Sequence, residues 1–185
     1  MDSAAAAGVR RRLDFYILIP AALQLGIKKM AIVAYIALGA NLGDRTGNLR
    51  AAVEKLANTP GLKVTKVSAM MENPAVGGPP DSPPFLNAAA EVETTLQAGE
   101  LLKRLLDIEK EIGRVRRDKW GPRLIDLDLL LYGDAVFQSA EMSIPHPLMH
   151  QRSFVLKPMA EIAPDVMHPI RRRSMSQLLA ELRSP

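Results

Sequence analysis

The chain has 185 residues, 48% hydrophobic and 24% charged, enough for one globular domain with its own core and too few for two large ones. It contains no cysteine, which excludes a disulfide scaffold, thiolate metal sites and thiol nucleophiles. The net charge of +4 suits an anionic ligand. Much of the excess, however, lies in terminal clusters, Arg10 to Arg12 and Arg171 to Arg173.

The first thirty residues carry basic flanks around an apolar stretch, Phe15 to Ile27, interrupted by Pro20. That stretch is too short for a bilayer-spanning helix, which needs ~20 residues. Its charge order is that of a signal peptide, but no small-x-small cleavage site follows, and Asp2 and Asp14 count against a transit peptide. Residues 1–30 are therefore expected outside the core, as a leader or the product of an alternative start, with the domain over 31–185.

Ile32 to Leu38, "IVAYIAL", is a β-branched apolar run and predicts a buried strand. "GANLGDRTGN" predicts a loop. In "NLRAAVEKLAN", Leu49, Ala52, Val53 and Leu56 recur at i, i+3, i+4 and i+7, the stripe of an amphipathic helix, and "NTPG" stops it. "LKVTKVSAM" is strand-like. "ENPAVGGPPDSPPFLN" is too rich in proline and glycine for a regular element and predicts a long loop. Phe85 to Thr94 alternates as a strand, with Phe85, Asn87 and Ala89 on one face and Leu86, Ala88 and Ala90 on the other.

"GELLKRLLDIEKEIG" is the strongest helix signal, striped by Leu101, Leu105, Ile108 and Ile112 and closed by Gly113. "RVRRDKWGP" is a second charged loop, and "RLIDLDLLLY" a strand. "IPHPLMHQRSFVLKPMAEIAP" starts as a loop and becomes a helix. Ser174 to Gln177 is a capping-box start for a last short helix. The order strand, helix, strand, strand, helix, strand is the βαββαβ ferredoxin-like pattern. The predicted fold class is α+β, with a mainly antiparallel sheet, helices on one face and extra C-terminal helices.

Inside the strand "RLIDLDLLLY", Asp126 and Asp128 project to the same face while Leu127 and Leu129 enter the core. Two adjacent carboxylates repel, so something cationic must lie beside them. Mg²⁺, held by one or two carboxylates and completed by water and phosphate oxygens, is one candidate. Pairing with arginines or exposure to solvent is another, and the D-x-D spacing alone leaves these open. Gly113 to Arg123 adds five basic residues to a single acid, the complement of a polyphosphate. Trp120, the only tryptophan, needs a surface to cover, which a purine, a pterin or the domain itself could provide. No G-x-x-x-x-G-K-[ST] or G-x-G-x-x-G motif occurs. Phe85 and Asn87, a ring and an amide on one strand face, suit a flat heterocycle, and Phe154 lies beside Arg152, although core packing accounts better for either ring taken alone. His146 is placed either to donate to a phosphate or to cap a turn.

In order, "YIALGANLGD", "NPAVGGPP…FLNAA", "IEKEIGRVR", "WGPRLIDLDLLLYG" and "IPHPLMHQRSFVLKPMAEIAP" occur within Ile32 to Pro169. Together they resemble the 6-hydroxymethyl-7,8-dihydropterin pyrophosphokinase family, for which W-G-P-R-x-x-D-x-D is highly specific. The resemblance implies transfer of diphosphate from ATP to the pterin hydroxymethyl oxygen, with release of AMP, in folate biosynthesis. It implies two Mg²⁺ ions on Asp126 and Asp128, and Arg114 and Arg123 as phosphate contacts that support the transition state. Arg116 and Trp120 would belong to a loop closing over ATP, His146 and Arg152 would hold the triphosphate, and Ser143 and Leu129 would lie near the nucleotide. The pterin would stack between Phe85 and Phe154, its edge read by Asn87 and by backbone around Gly39, Asn73 and Val76, with Pro74 shaping the pocket.

Lys119 stands where an arginine is common in the family, Asn73 replaces a frequent threonine, and Pro147 follows His146 where other residues occur. A D-x-D nuclease or sugar-nucleotide transferase would lack a pterin pocket, and a ferredoxin-like RNA binder would show aromatic K/R-G-F/Y signatures, which are absent. The expectation is a cytoplasmic monomer acting on small molecules, with no nucleic acid or membrane partner.

Overall fold

The computed structural model describes residues 30–74, 83–114 and 123–182. The expected extension over the first thirty residues thus lies, up to residue 29, outside the described residues. Met30, exposed, stands two residues before the first strand.

The elements run β1 (Ile32–Ala40), α1 (Arg45–Ala57), β2 (Leu62–Val67), β3 (Met71–Asn73), β4 (Phe85–Thr94), α2 (Ala98–Glu111), β5 (Asp126–Tyr132), β6 (Phe137–Gln138) and β7 (Ser143–Ile144). A 3-10 turn (Met149–Gln151), α3 (Ser153–Ile162) and α4 (Met175–Glu181) follow. The main sheet has the order β2-β4-β1-β5, with β3 also paired to β4, and every pairing is antiparallel. This is the ferredoxin-like arrangement, its second strand split into β2 and β3.

Alternation along the strands sorts the side chains into two layers. Ala34, Ile36, Leu38 and Ala40 of β1 join Ala88, Ala90 and Val92 of β4, and Leu127 and Leu129 of β5, under the apolar stripes of α1 and α2. Tyr35, Ala89, Leu130 and Leu131 face the other way, where α3 and α4 cover them through Val155, Leu156, Met159 and Leu178. The first two helices therefore occupy one face and the C-terminal helices close the other. A register shift opposite Tyr35 and Ile36 leaves Leu130 as an extra residue in β5, which is why Leu130 and Leu131 share a layer.

Some expectations change at element ends. α1 begins at Arg45, inside the predicted loop, because the Asp44 side chain caps it by accepting from the Gly47 N–H. Met71–Asn73, partly read as loop, is a strand because it pairs with Phe85–Asn87. The small β6–β7 hairpin was not anticipated. α2 has the capping box Gln97/Glu100, and α4 has the predicted one, Ser174/Gln177.

Candidate active site

Four strand ends meet at one corner of the sheet. Asn73 pairs with Phe85, Asn87 with both Met71 and Gly39, and Gly39 with Asp126. Asn87, Gly39 and Asp126 thus form one cross-strand row. At a strand spacing of ~4.8 Å, the two outer residues lie roughly 10 Å apart along the backbone. The row opens on the face that α3 covers, at the end where α3 begins with Ser153 and Phe154. Gly39 keeps the row open: a Cβ there would stand 3.2 Å from Asn87 Oδ1 and 3.6 Å from the Phe85 ring. Asn87 is buried, and its Nδ2 makes no hydrogen bond among the described residues. A buried amide donor without an acceptor is rare enough to mark a ligand position.

At the other end of the row, Asp126 accepts from two arginines, Arg114 Nη1 on Oδ1 at 2.7 Å and Arg123 Nη1 on Oδ2 at 2.5 Å. The arginine pairing left open by the sequence therefore holds for Asp126. Arg114 also grips Glu109, whose Oε1 accepts the Leu127 N–H at 2.7 Å. Glu109 is 2% exposed. Burial raises its carboxyl above the ordinary glutamate range, although the Leu127 N–H and the Arg114 charge pull it down. The sequence reading missed Glu109. Its signal was a lone acid four residues past Leu105 and eight past Leu101, inside the apolar stripe of α2.

Asp128 stands two residues along the same strand face. Burial, then the neighbouring Asp126 charge, push its carboxyl up to about 6, against the pull of Arg152, Arg123 and Arg114. A carboxylate in that state calls for more positive charge than the protein supplies.

His146 is held by its backbone N–H on the Leu130 carbonyl, 2.9 Å. Its Nδ1 accepts the Leu148 N–H at 3.2 Å, which puts the ring proton on Nε2. Burial, and then Arg152, push its pKa down to about 4, so at neutral pH it is an uncharged donor. The Arg152 guanidinium carbon lies 5.7 Å from the Phe154 ring centre. Ser143 pairs with Gln138 in the short hairpin. The Asn73 amide donates to the Pro74 carbonyl at 2.7 Å, so that side chain is spent locally. The Leu129 side chain lies in the core under α1 and α2, on the face away from the carboxylates, and only its backbone is left to serve a nucleotide. Val76, Arg116 and Trp120, and Lys119 with them, lie outside the described residues.

The fold and site define a ferredoxin-like α+β domain with carboxylates and arginines at one end of a sheet row and an unpaired amide at the other. A sequence profile of the 7,8-dihydro-6-hydroxymethylpterin-pyrophosphokinase family matches residues 35–164, and the chain belongs to that family. Among its relatives is the 2-amino-4-hydroxy-6-hydroxymethyldihydropteridine pyrophosphokinase of Synechocystis sp., 41% identical over 149 residues, which are 80% of this chain and 75% of that protein. The protein of the same name from Bacillus subtilis is 46% identical over 134 residues, 72% of this chain and 80% of that one. The HPPK-DHPS triple mutant of Plasmodium falciparum superposes with a TM-score of 0.66 at 13% identity. That match covers 86% of this chain but only 44% of the longer one, and it supports the fold. Family membership makes this chain a pyrophosphokinase of hydroxymethyldihydropterin in folate biosynthesis.

Proposed function

We propose that the enzyme moves the β,γ-diphosphoryl group of ATP to the hydroxymethyl oxygen of 6-hydroxymethyl-7,8-dihydropterin and releases AMP. The observation that carries this reading is the row itself. Two carboxylates and three arginines stand at one end, and the unpaired Asn87 amide beside Phe85 stands at the other. In-line transfer at phosphorus needs positioning and charge neutralisation more than covalent help.

Asp126 and Asp128 would hold two Mg²⁺ ions. The donor set fits: hard carboxylate oxygens at i and i+2, one of them short of positive charge. Bound there, the metals supply neutralisation of phosphate oxygens and a lowered pKa for the attacking hydroxyl. The chain's own residues do the rest. Arg114 and Arg123, which pair with Asp126, would turn toward phosphate once another cation takes over that carboxylate. His146 Nε2–H and Arg152 donate to the triphosphate, with Ser143 and the Leu129 backbone near the nucleotide. Phe85 and Phe154 sandwich the pterin, and Asn87, with backbone at Gly39, Asn73 and Val76, reads its edge beside Pro74. Arg116 and Trp120 keep the covering role that the resemblance implies.

No helix among the described residues is long and apolar enough to cross a membrane. We take the enzyme to be a cytoplasmic monomer acting on small molecules. The domain proper is taken to begin at residue 31. Incubation with ATP, Mg²⁺ and the dihydropterin should yield AMP in step with pterin diphosphate. ADP as the nucleotide product, or equal turnover in EDTA, would overturn the assignment of donor and metal.

A further inference from the structure

The turn between β1 and α1 carries a residue that the family reading assigns no part. Asn41 is 3% exposed. Its Oδ1 accepts the backbone N–H of Arg123 at 2.6 Å, and its Nδ2 donates to the carbonyl of Pro83 at 3.3 Å. Its own N–H and that of Leu42 both donate to the Arg123 carbonyl, at 3.0 and 3.2 Å. One planar carboxamide therefore ties together the entry to β5 and the entry to β4.

These two entries serve different halves of the site. Arg123 is the residue whose guanidinium reaches Asp126, on the phosphate side. Pro83 is two residues before Phe85, on the heterocycle side. A shift of either backbone is passed to the other through a group too small and rigid to absorb it. The same turn holds its surroundings by separate means. Arg45 Nη1 donates to the Pro84 carbonyl at 2.8 Å and to Glu72 at 2.7 Å. Leu124 lies within contact distance of where a Cβ on Gly43 or Gly113 would be. The segments would thus stay in place without Asn41, while the direct link between them would not.

We propose that Asn41 is a positioning residue that couples the two substrate sites, so that the pterin raises affinity for the nucleotide and the nucleotide raises affinity for the pterin. This rests on the ATP and pterin assignment made above. Coupling of this kind is reciprocal by thermodynamic necessity and is commonly 5- to 150-fold, so both directions must report about the same factor. Asparagine suits the task because its side chain donates and accepts at once. Aspartate keeps the acceptor for Arg123 but sets an anionic oxygen against the Pro83 carbonyl.

The test is calorimetric titration of the full chain with Mg²⁺ and a non-hydrolysable ATP analogue, with and without saturating dihydropterin, and then the reverse. Wild type should show at least about fivefold mutual enhancement. Asn41→Asp and Asn41→Ala should bring that ratio to within about twofold of unity, with affinity for either ligand alone much less affected. Equal losses in both affinities with the ratio kept would mark a merely structural residue and overturn the proposal. So would a wild type without coupling. Hydrogen exchange on wild type gives a measurement that needs no variant: dihydropterin alone should slow exchange of the Arg123 amide, and unchanged exchange counts against Asn41. Failure of wild type to form AMP would remove the reaction assignment itself. AMP formation with coupling kept in Asn41→Asp would remove only the role of Asn41.

Discussion

Asn87 and Asp126 share a single cross-strand partner, Gly39, and so face each other across one strand of the same sheet. This fixes the distance between the group proposed to read the heterocycle and the group proposed to organise the phosphates. It does so through backbone hydrogen bonds, which side-chain motions do not disturb.

Gly39→Ala tests that geometry. The new Cβ would lie 3.2 Å from Asn87 Oδ1 and 3.6 Å from Phe85. Overpacking of this kind costs about 1–3 kcal/mol, and here the displaced groups are the ones proposed to meet the pterin. The KM for dihydropterin should rise roughly tenfold or more, with the KM for ATP changed far less. Phe85→Ala should show the same bias. Equal effects on both substrates in steady-state kinetics would refute it.

Asp128→Asn should separate stability from activity. With the carboxyl pushed up to about 6 by burial and by Asp126, its ionised form at pH 7 costs the fold on the order of 2 kcal/mol. The cost is full above the raised pKa and declines to zero as pH falls from there to the unfolded value of about 3.9. The variant should melt at the same or a higher temperature than wild type at pH 7 while losing at least ~100-fold in kcat. A variant that turns over normally in Mg²⁺ would contradict the metal assignment for Asp128.

Glu109→Ala leaves the Leu127 N–H without its acceptor and Arg114 with one anion fewer in a buried place. Breaking a buried pair from one side typically costs about 3–5 kcal/mol. Glu109→Gln keeps an acceptor for Leu127 and should lose less. Urea unfolding midpoints decide this, and a Glu109→Ala loss below about 1 kcal/mol would show that the pair is not structural.

Glu91 gives the fold a pH dependence away from the site. Burial raises its carboxyl, but hydrogen bonds from Thr65, Lys66 and Tyr35 together outweigh that and hold it below the ordinary range. A lowered folded-state pKa contributes stability above the unfolded value of about 4.3, and that stability is lost as pH falls through the lowered pKa. Glu91→Gln should therefore destabilise by about 1–3 kcal/mol at pH 7 and by much less near pH 3. Thermal melts at the two pH values check the sign, and an equal loss at both would exclude it.

Much of this molecule was legible in the sequence because it is encoded locally. Period-two alternation placed Leu127 and Leu129 under the helices and the two aspartates opposite them. The stripes of α1 and α2 and the Ser174 capping box need only near neighbours, and they appear as expected. The family motifs are likewise contiguous strings. Other features depend on partners far along the chain. Met71–Asn73 becomes a strand only because Phe85–Asn87 is there to pair with it, and the extra residue Leu130 exists only relative to the register of β1. Glu109 finds its partner only because α2 packs on β5 and turns it toward the Leu127 N–H. The sequence by itself determined which groups the enzyme owns: two carboxylates, a run of arginines, a phenylalanine and an asparagine on one strand face. Only the tertiary structure decided that Gly39 sets Asn87 and Asp126 in one row and that Asn41 joins Pro83 to Arg123. Cross-strand register and loop-end hydrogen bonds arise between residues up to about a hundred positions apart, where no local pattern carries the information.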